Sequence, residues 1–158
     1  MADQSELFQG MTADDVASFL KNAGAKQLHL TKGDYVFMQN DVPECTFILE
    51  GGSIVVEHND AAGKRAIVNV FRNPGTVFGE VYMYTPEASY DYSAYANEDS
   101  TVLAIPKAAF SMEGVVLSPV AVNMLRILAA KALFLNKKLL LMASLSIREK
   151  LIKFLLIL

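Results

Sequence analysis

The sequence predicts a mainly β protein with some helix: an antiparallel β-roll of the jelly-roll (double-stranded β-helix) type, with short N-terminal helices and a long C-terminal dimerisation helix. Three observations support this fold class. Residues 26–105 consist of short runs rich in β-branched and aromatic residues. Turn signals such as Gly51-Gly52 separate these runs, and no helical periodicity interrupts them. From Pro119 onward the apolar residues recur at helical spacing instead.

A short helix is predicted from about Ala13 to Ala23. Thr12 and Asp15 have the spacing of a capping box, in which two side chains satisfy two free N–H groups at the start of a helix. Gly24 is a typical residue for the end of the helix.

Eight runs are predicted to be strands: QLHL, YVFMQ, CTFILE, SIVVEH, RAIVNVF, TVFGEV, YSAYA and STVLAI. Their regular spacing, with no helix between them, favours an antiparallel roll or barrel over a parallel sheet. Asn40 and the pair Gly51-Gly52 are the positions in the turns where we expect a positive φ.

The long helix is predicted from Pro119 to about Ala143, because proline is favoured at the first helical position. One face has apolar residues at alternating spacings of three and four, a pattern typical of a coiled-coil contact. We therefore expect a homodimer through this helix, while another apolar face packs on the roll. The alternative is a helix buried inside one larger domain. The expected dimer-interface residues are Leu125, Leu128, Ala132, Leu135, Leu139 and Met142.

A further helix is predicted after the long one. Ser146 and Glu149 have capping-box spacing, and the segment IREKLIKFLLIL follows them. The sequence ends at Leu158 in the middle of this apolar pattern, so we expect the chain to be cut just inside a further domain.

Charge and composition narrow the classes of function. The net charge of −3 gives this chain no basic surface for phosphate contacts with nucleic acid. The single cysteine, Cys45, rules out an internal disulfide. The longest uncharged run of the apolar C-terminal region has twelve residues, whereas a membrane span needs roughly 20. We therefore expect a cytoplasmic protein without a membrane partner.

Catalytic and metal-binding motifs are not evident in the sequence. G-x-S-x-G, P-loop and H-E-x-x-H patterns do not occur, which favours a protein that is not an enzyme. The only histidines, His29 and His58, do not form the H-x-H pair of a cupin-type metal site. We expect no catalytic residue, no metal and no cofactor. A haem held by one of these histidines is kept as an alternative.

Four motifs in order, KGDYVFMQND, FILEGGSIVV, NPGTVFGE and SIREKLIKFLL, carry a family resemblance. With them, the chain resembles the Crp/Fnr family of bacterial transcription regulators. The resemblance implies a cyclic-nucleotide-binding-like effector domain at 1–112, a dimerisation helix at 113–145, and at 146–158 the start of a truncated winged helix-turn-helix domain. DNA would then be bound by the missing domain of the parent protein. The alternative is a stand-alone dimeric module that binds a small molecule and has no DNA role.

The same resemblance suggests where a ligand would bind. In cyclic-nucleotide receptors of this architecture, the glutamate of the FGE motif contacts the ribose and a following Arg-Ser pair holds the phosphate. Here the Arg-Ser pair falls on Tyr90 and Asp91, and residues 73–106 contain no Lys or Arg. An aspartate at that place replaces attraction by repulsion, about 4 kcal/mol at 4 Å for an effective dielectric constant of 20. We therefore predict that cyclic AMP and cyclic GMP do not bind.

Another effector is the remaining possibility for this region. Tyrosines offer apolar area and a hydroxyl, which suits an uncharged or cationic organic ligand; alternatively, they fill the space of a nucleotide. Asn136, with Leu135, falls where the family's helix contacts the base, but a single Asn in a coiled coil can also fix register. The candidate effector pocket consists of Phe78, Gly79, Glu80, Tyr90, Asp91, Tyr92, Leu135 and Asn136.

Overall fold

The computed structural model describes residues 2–86, 89–111, 118–144 and 146–157. Eight strands lie between a short helix, α1, and two later helices, α2 and α3. The helices are α1 (Ala13–Ala23), α2 (Pro119–Ser144) and α3 (Ile147–Ile157). The strands are β1 (Lys26–Leu30), β2 (Tyr35–Phe37), β3 (Cys45–Gly51), β4 (Ile54–Asn59), β5 (Arg65–Phe71), β6 (Val77–Phe78), β7 (Ser93–Ala96) and β8 (Ser100–Pro106). The described residues also form four 3-10 turns: Ala2–Gln4, Glu6–Phe8, Glu80–Tyr82 and Lys107–Phe110.

The strands form two four-stranded antiparallel sheets, with the orders β1-β8-β3-β6 and β2-β7-β4-β5. The predicted fold class, an antiparallel β-roll with short helices and a long C-terminal helix, is confirmed. Each of the eight predicted runs contains one strand. The run TVFGEV keeps only two strand residues, because Gly79 adopts a left-handed conformation and a 3-10 turn begins at Glu80.

Both turn predictions are largely correct. Asn40 has a φ of 74° and Gly52 a φ of 89°, whereas Gly51 ends β3 with an ordinary φ. A side chain at Gly52 would meet the backbone of Asp99 and Ser100 at 2.7 Å, so glycine is needed there for space as well as for conformation.

Helix α1 has the predicted bounds and the predicted capping box. The Asp15 N–H donates to the Thr12 hydroxyl at 3.1 Å, and the Thr12 N–H donates to the Asp15 carboxylate at 3.4 Å. Gly24 ends the helix in the left-handed conformation. Local sequence therefore accounts for both ends of this helix.

The N-terminal segment before α1 packs into the core, which the sequence pattern did not predict. Leu7 and Phe8 are buried, and the Ser5 hydroxyl donates to the Gly75 carbonyl at 2.7 Å. Near the start of α2, the Asn123 amide donates to the Leu7 carbonyl at 3.0 Å and to the Gln9 carbonyl at 2.9 Å. The buried amide thus fixes the N-terminal segment against the first turns of α2.

The chain divides into two compact units, residues 1–124 and 125–158. The first contains both sheets, and the first turns of α2 belong to its core through Val120, Asn123 and Met124, which are 1%, 3% and 0% exposed. The boundary that the family resemblance implies between residues 112 and 113 lies outside the described residues.

The second unit contains the rest of α2 and α3. Ser146 and Glu149 form the predicted capping box of α3, with the Ser146 N–H donating to the Glu149 carboxylate at 3.0 Å and the Glu149 N–H donating back to the Ser146 hydroxyl at 3.3 Å.

Helix α2 is apolar enough to raise the question of a membrane. Over Pro119–Ala143 it meets the length and composition expected of a spanning helix, with a mean hydropathy of 1.3. One such helix is weak evidence for a membrane span, because core helices of soluble proteins pass the same test.

Candidate functional site

Gly79 sets the direction of the chain at the candidate site. Directly after β6 it adopts φ 73° and ψ 8°, a left-handed conformation, and the 3-10 turn Glu80–Tyr82 follows. A β-carbon at Gly79 would lie 3.2 Å from the ring of Phe47. Both the conformation and the close approach therefore require glycine. The turn buries Glu80 at 3% exposure and directs Tyr82 into the roll at 6% exposure.

Tyr90 and Asp91 lie in the loop that leads into β7 rather than on the strand. The Tyr90 N–H donates to the Asp41 carbonyl at 3.0 Å, and the Asn40 N–H donates to the Tyr90 carbonyl at 2.8 Å. Because the strand begins only at Ser93, strand alternation does not set the directions of Tyr90 and Tyr92. Tyr90 is buried at 3% exposure, whereas Asp91 is exposed.

A pair of hydrogen bonds ties Asp91 to Tyr82. The Tyr82 hydroxyl donates to the Asp91 carboxylate at 3.0 Å and accepts from the Asp91 N–H at 3.1 Å. Burial, followed by the hydrogen bond to the carboxylate, raises the pKa of Tyr82 to about 12. The position at which the resemblance places a phosphate clamp therefore holds a carboxylate that is fixed by a neutral phenol.

A column of contacting aromatic rings runs through the roll. Neighbouring ring centroids are 3.8 to 5.6 Å apart along the column. The closest pair is Phe37 and Tyr90, whose planes differ by 11° and whose centroids are 3.8 Å apart. These contacts support the alternative in which tyrosines occupy the roll themselves. In order of contact, the column consists of Phe71, Phe78, Phe47, Phe37, Tyr90 and Tyr82.

The other predicted site residues lie outside this column. Tyr92 is half-buried, with its ring edge toward His58 at a centroid distance of 6.4 Å. The Nδ1 atom of His58 donates to the Asp91 carbonyl at 2.7 Å, so this histidine supports the loop. Leu135 and Asn136 are exposed on α2 in the second unit. Of the eight candidate residues, Tyr90 and Asp91 contact Tyr82 directly. Gly79 and Glu80 begin the 3-10 turn that contains Tyr82, and Phe78 belongs to the same aromatic column.

Sequence reasoning missed Tyr82, Phe37 and Phe47 as parts of this region. The ring of Tyr82 meets Tyr90 edge-on at 5.0 Å. Tyr82 is three residues after the glycine of the FGE motif, and this position could have identified it as a site residue. The contacts of Phe37 and Phe47 depend on the pairing of the strands, which the sequence does not show. Among the residues that the structure describes, no group of three or more His, Cys, Asp or Glu side chains could hold a metal ion.

Comparison with known proteins gives a consistent picture of the fold. A family model described as "Cyclic nucleotide-binding domain" matches residues 27–112. No curated protein matches the chain. Several solved structures of transcription regulators share its fold, at sequence identities below 25%.

The catabolite activator protein of Thermus thermophilus has a TM-score of 0.75 and 24% identity over 88% of this chain and 63% of its own. The sensor domain of the regulator DNR from Pseudomonas aeruginosa has a TM-score of 0.68 and 22% identity over 82% of this chain and 84% of its own. The N-terminal domain of a Streptomyces coelicolor A3(2) transcriptional regulator has a TM-score of 0.66 and 19% identity over 92% of this chain and 96% of its own. The chain thus spans less than two thirds of the Thermus protein.

Proposed function

The chain belongs to the cyclic nucleotide-binding domain family, and from this premise we propose that it is the sensory and dimerisation part of a Crp/Fnr-type transcription regulator whose effector is not a cyclic nucleotide. The observation that carries the proposal is Asp91. This carboxylate stands where the family resemblance places the phosphate-binding pair, and it is held there by Tyr82. The proposed protein acts as a cytoplasmic regulator and not as an enzyme.

The physical argument concerns the charge at the position where the family resemblance places the phosphate. A cyclic nucleotide carries a phosphate anion, and an arginine would grip it through two charge-assisted hydrogen bonds. Such bonds contribute about 1.5–3 kcal/mol each. With Tyr90 and Asp91 at these positions, the phosphate loses that attraction and meets a fixed negative charge. In addition, the Tyr90 ring is buried in the aromatic column, stacked on Phe37.

Isothermal titration calorimetry with cyclic AMP and cyclic GMP tests this proposal. We expect no binding at micromolar concentrations. Asp91→Ser is the matched variant. It restores the serine of the family's Arg-Ser pair and removes the repulsion between the Asp91 carboxylate and the phosphate, but it supplies no cation. We expect this variant to remain without micromolar affinity. Micromolar binding of either nucleotide to the unchanged chain would contradict the proposal.

We also propose that the chain forms a homodimer through α2. On one protomer the predicted interface leaves large apolar side chains exposed, with Leu135, Leu139 and Met142 at 57%, 65% and 61%. Pairing of two helices would remove these side chains from water, and burial of apolar area stabilises a complex by roughly 25 cal/mol per Å². Leu125, Leu128 and Ala132 continue the same seam toward the start of the helix.

Size-exclusion chromatography with light scattering tests the dimer. We expect the unchanged chain to have twice the mass of a protomer at micromolar concentration. Leu135→Glu combined with Leu139→Glu should give a monomer, because four carboxylates would face one another across the seam. Lys137→Glu, which changes a charge on the polar edge of α2, should remain a dimer. A monomeric unchanged chain would contradict the proposal.

DNA binding is proposed for a further domain of the parent protein. The support is indirect: the chain spans 63% of the length of the Thermus regulator, and α3 begins with the motif SIREKLIKFLL. The reading frame beyond residue 158 provides the test. A continuation with a helix-turn-helix domain would support the regulator, whereas an immediate stop codon would favour the second candidate, a stand-alone dimeric ligand-binding module.

The proposed function needs no resident cofactor. His58 already donates its Nδ1 hydrogen to the Asp91 carbonyl, and His29 is exposed on β1. We expect the purified protein to show no Soret absorption band. A Soret band that disappears in His29→Ala or His58→Ala would instead establish haem sensing.

A further inference from the structure

A concave region lies beside Tyr90. It is a cavity of about 350 Å³ lined by residues of β1, β2, β3 and β8 and by the loop that leads to β3. Of the eight residues predicted for the effector pocket, it shares only Tyr90. All its lining residues belong to the first compact unit. Neither the family resemblance nor the predicted site includes this cavity.

The wall of the cavity is aromatic and apolar. Phe37 and Tyr90, the tightly stacked pair of the aromatic column, both line it, and Leu28 contributes an aliphatic side. Phe37 and Tyr90 stack face to face and also contact Phe47 and Tyr82, so their ring edges are what can face the cavity. The positive edge of an aromatic ring attracts the negative face of another ring, so the ring of a ligand can pack on these edges.

The rim of the cavity carries an excess of negative charge. Asp41 and Glu44 are exposed residues of the lining, and Lys26 is the only cation among the lining residues. Burial raises the pKa of Tyr90, and Cys45, Tyr82, Glu44 and Asp41 add to the rise, so both carboxylates act on the Tyr90 hydroxyl region. A net charge of −1 at the mouth, from two carboxylates and one ammonium, favours a cation at the open end.

We propose that this cavity is a binding site for a small aromatic monoamine, with the ring against Phe37 and Tyr90 and the ammonium group between Asp41 and Glu44. This cavity would be the effector site of the proposed sensory function. Binding of the amine does not depend on that function; only the regulatory consequence of binding rests on it. The geometry also connects the ligand to the loop: Tyr90 is bonded through its backbone to Asn40 and Asp41.

Cys45 supplies a direct reporter, because it is the only cysteine of the chain and it lines the cavity in a half-buried position. The experiment measures the rate of Cys45 alkylation by iodoacetamide, followed by mass spectrometry of the full chain. Three probes of similar shape are compared at equal concentration: 2-phenylethylamine as the cation, 2-phenylethanol as the neutral form and phenylacetate as the anion.

We expect 2-phenylethylamine at millimolar concentration to slow alkylation at least fivefold, 2-phenylethanol to slow it about twofold and phenylacetate to leave it unchanged. Asp41→Asn with Glu44→Gln should reduce the protection by the amine to that by the alcohol. Asp14→Asn, on the exposed first turn of α1, is the matched charge control and should leave the protection intact.

Three results would overturn the proposal: no protection by the amine, equal protection by all three probes, or protection that survives removal of both carboxylates. The test is independent of the proposed function. A chain that bound cyclic AMP and was also protected by the amine would contradict the proposed function and retain this site. A chain that bound neither would retain the proposed function and lose the site.

Discussion

Gly79 is the residue on which the position of the loop after β6 depends. Its φ of 73° is costly for any residue with a β-carbon, about 1–2 kcal/mol. A β-carbon would also lie 3.2 Å from the Phe47 ring, and displacing a packed core ring costs about 1 kcal/mol or more. We therefore expect Gly79→Ala to lower the free energy of unfolding by about 2–3 kcal/mol, as measured by urea denaturation.

Gly63 offers the matched control for this prediction. It has a φ of 81°, and no atom lies within 4 Å of the place that a β-carbon would take. Gly63→Ala should therefore cost only the conformational part, about 1 kcal/mol. Equal losses in the two variants would mean that the contact with Phe47 contributes nothing.

The raised pKa of Tyr82 predicts that the folded chain loses stability at alkaline pH. Its pKa in the folded chain is about 12, raised first by burial, whereas a tyrosine in an unfolded chain has a pKa of about 10. The neutral phenol is therefore favoured in the folded state. Its stabilising contribution is fully present below pH 10 and is lost as the pH rises through about 12.

Absorbance at 295 nm, which reports tyrosinate, measures this directly. The chain has six tyrosines, and we expect Tyr82 and Tyr90 to ionise late, together with the unfolding of the chain. Tyr82→Phe should remove one late-ionising group and reduce the loss of stability above pH 10. Early ionisation of Tyr82 in the folded chain would contradict its burial and its bond to Asp91.

At the scale of single elements, α1 is the clearest case of local control. Its capping box supplies two hydrogen bonds at the start of the helix. We expect Thr12→Ala to destabilise the chain by about 1 kcal/mol in thermal or urea unfolding. Ser18→Ala, at an exposed position inside the same helix, should be neutral or slightly stabilising because alanine is the better helix former. A loss in Ser18→Ala as large as that in Thr12→Ala would contradict the capping role.

The elements could be predicted from sequence because their signals are local. Strand runs are bounded by turn residues a few positions away, and both capping boxes span four residues. The loop before β7 was harder, since Tyr90 takes its place through bonds to Asn40 and Asp41 in a distant turn. Packing against this distant turn therefore decides which tyrosine faces inward. The alternation of apolar and polar residues in the sequence does not indicate it.

At the scale of the whole molecule, the contacts that close the fold join the two ends of the first unit. Asn123 bonds to Leu7, 116 positions away. A pair of residues so far apart leaves no joint pattern in a single sequence, so the packing of the N-terminal segment into the core could not be predicted. The same applies to the aromatic column, whose rings come from four strands, one 3-10 turn and one loop.

This arrangement predicts where the chain can be shortened. Residues 1–124 contain both sheets and the anchored start of α2. We expect a chain that ends after Met124 to unfold cooperatively as a monomer, with β-type circular dichroism. A chain that ends after Ser118 should be several kcal/mol less stable, because it loses the buried Val120, Asn123 and Met124. Equal midpoints of the two chains would contradict the anchoring role of α2.

The stacking of Tyr90 on Phe37 has a consequence for competition. A side chain of the protein itself is covalently tethered to the place it fills, so its effective concentration there greatly exceeds that of any metabolite in solution. A nucleotide that needed the space of the Tyr90 ring would have to displace a competitor that is covalently attached. We therefore expect substitution of Tyr90 to change nucleotide affinity more than a higher nucleotide concentration can compensate.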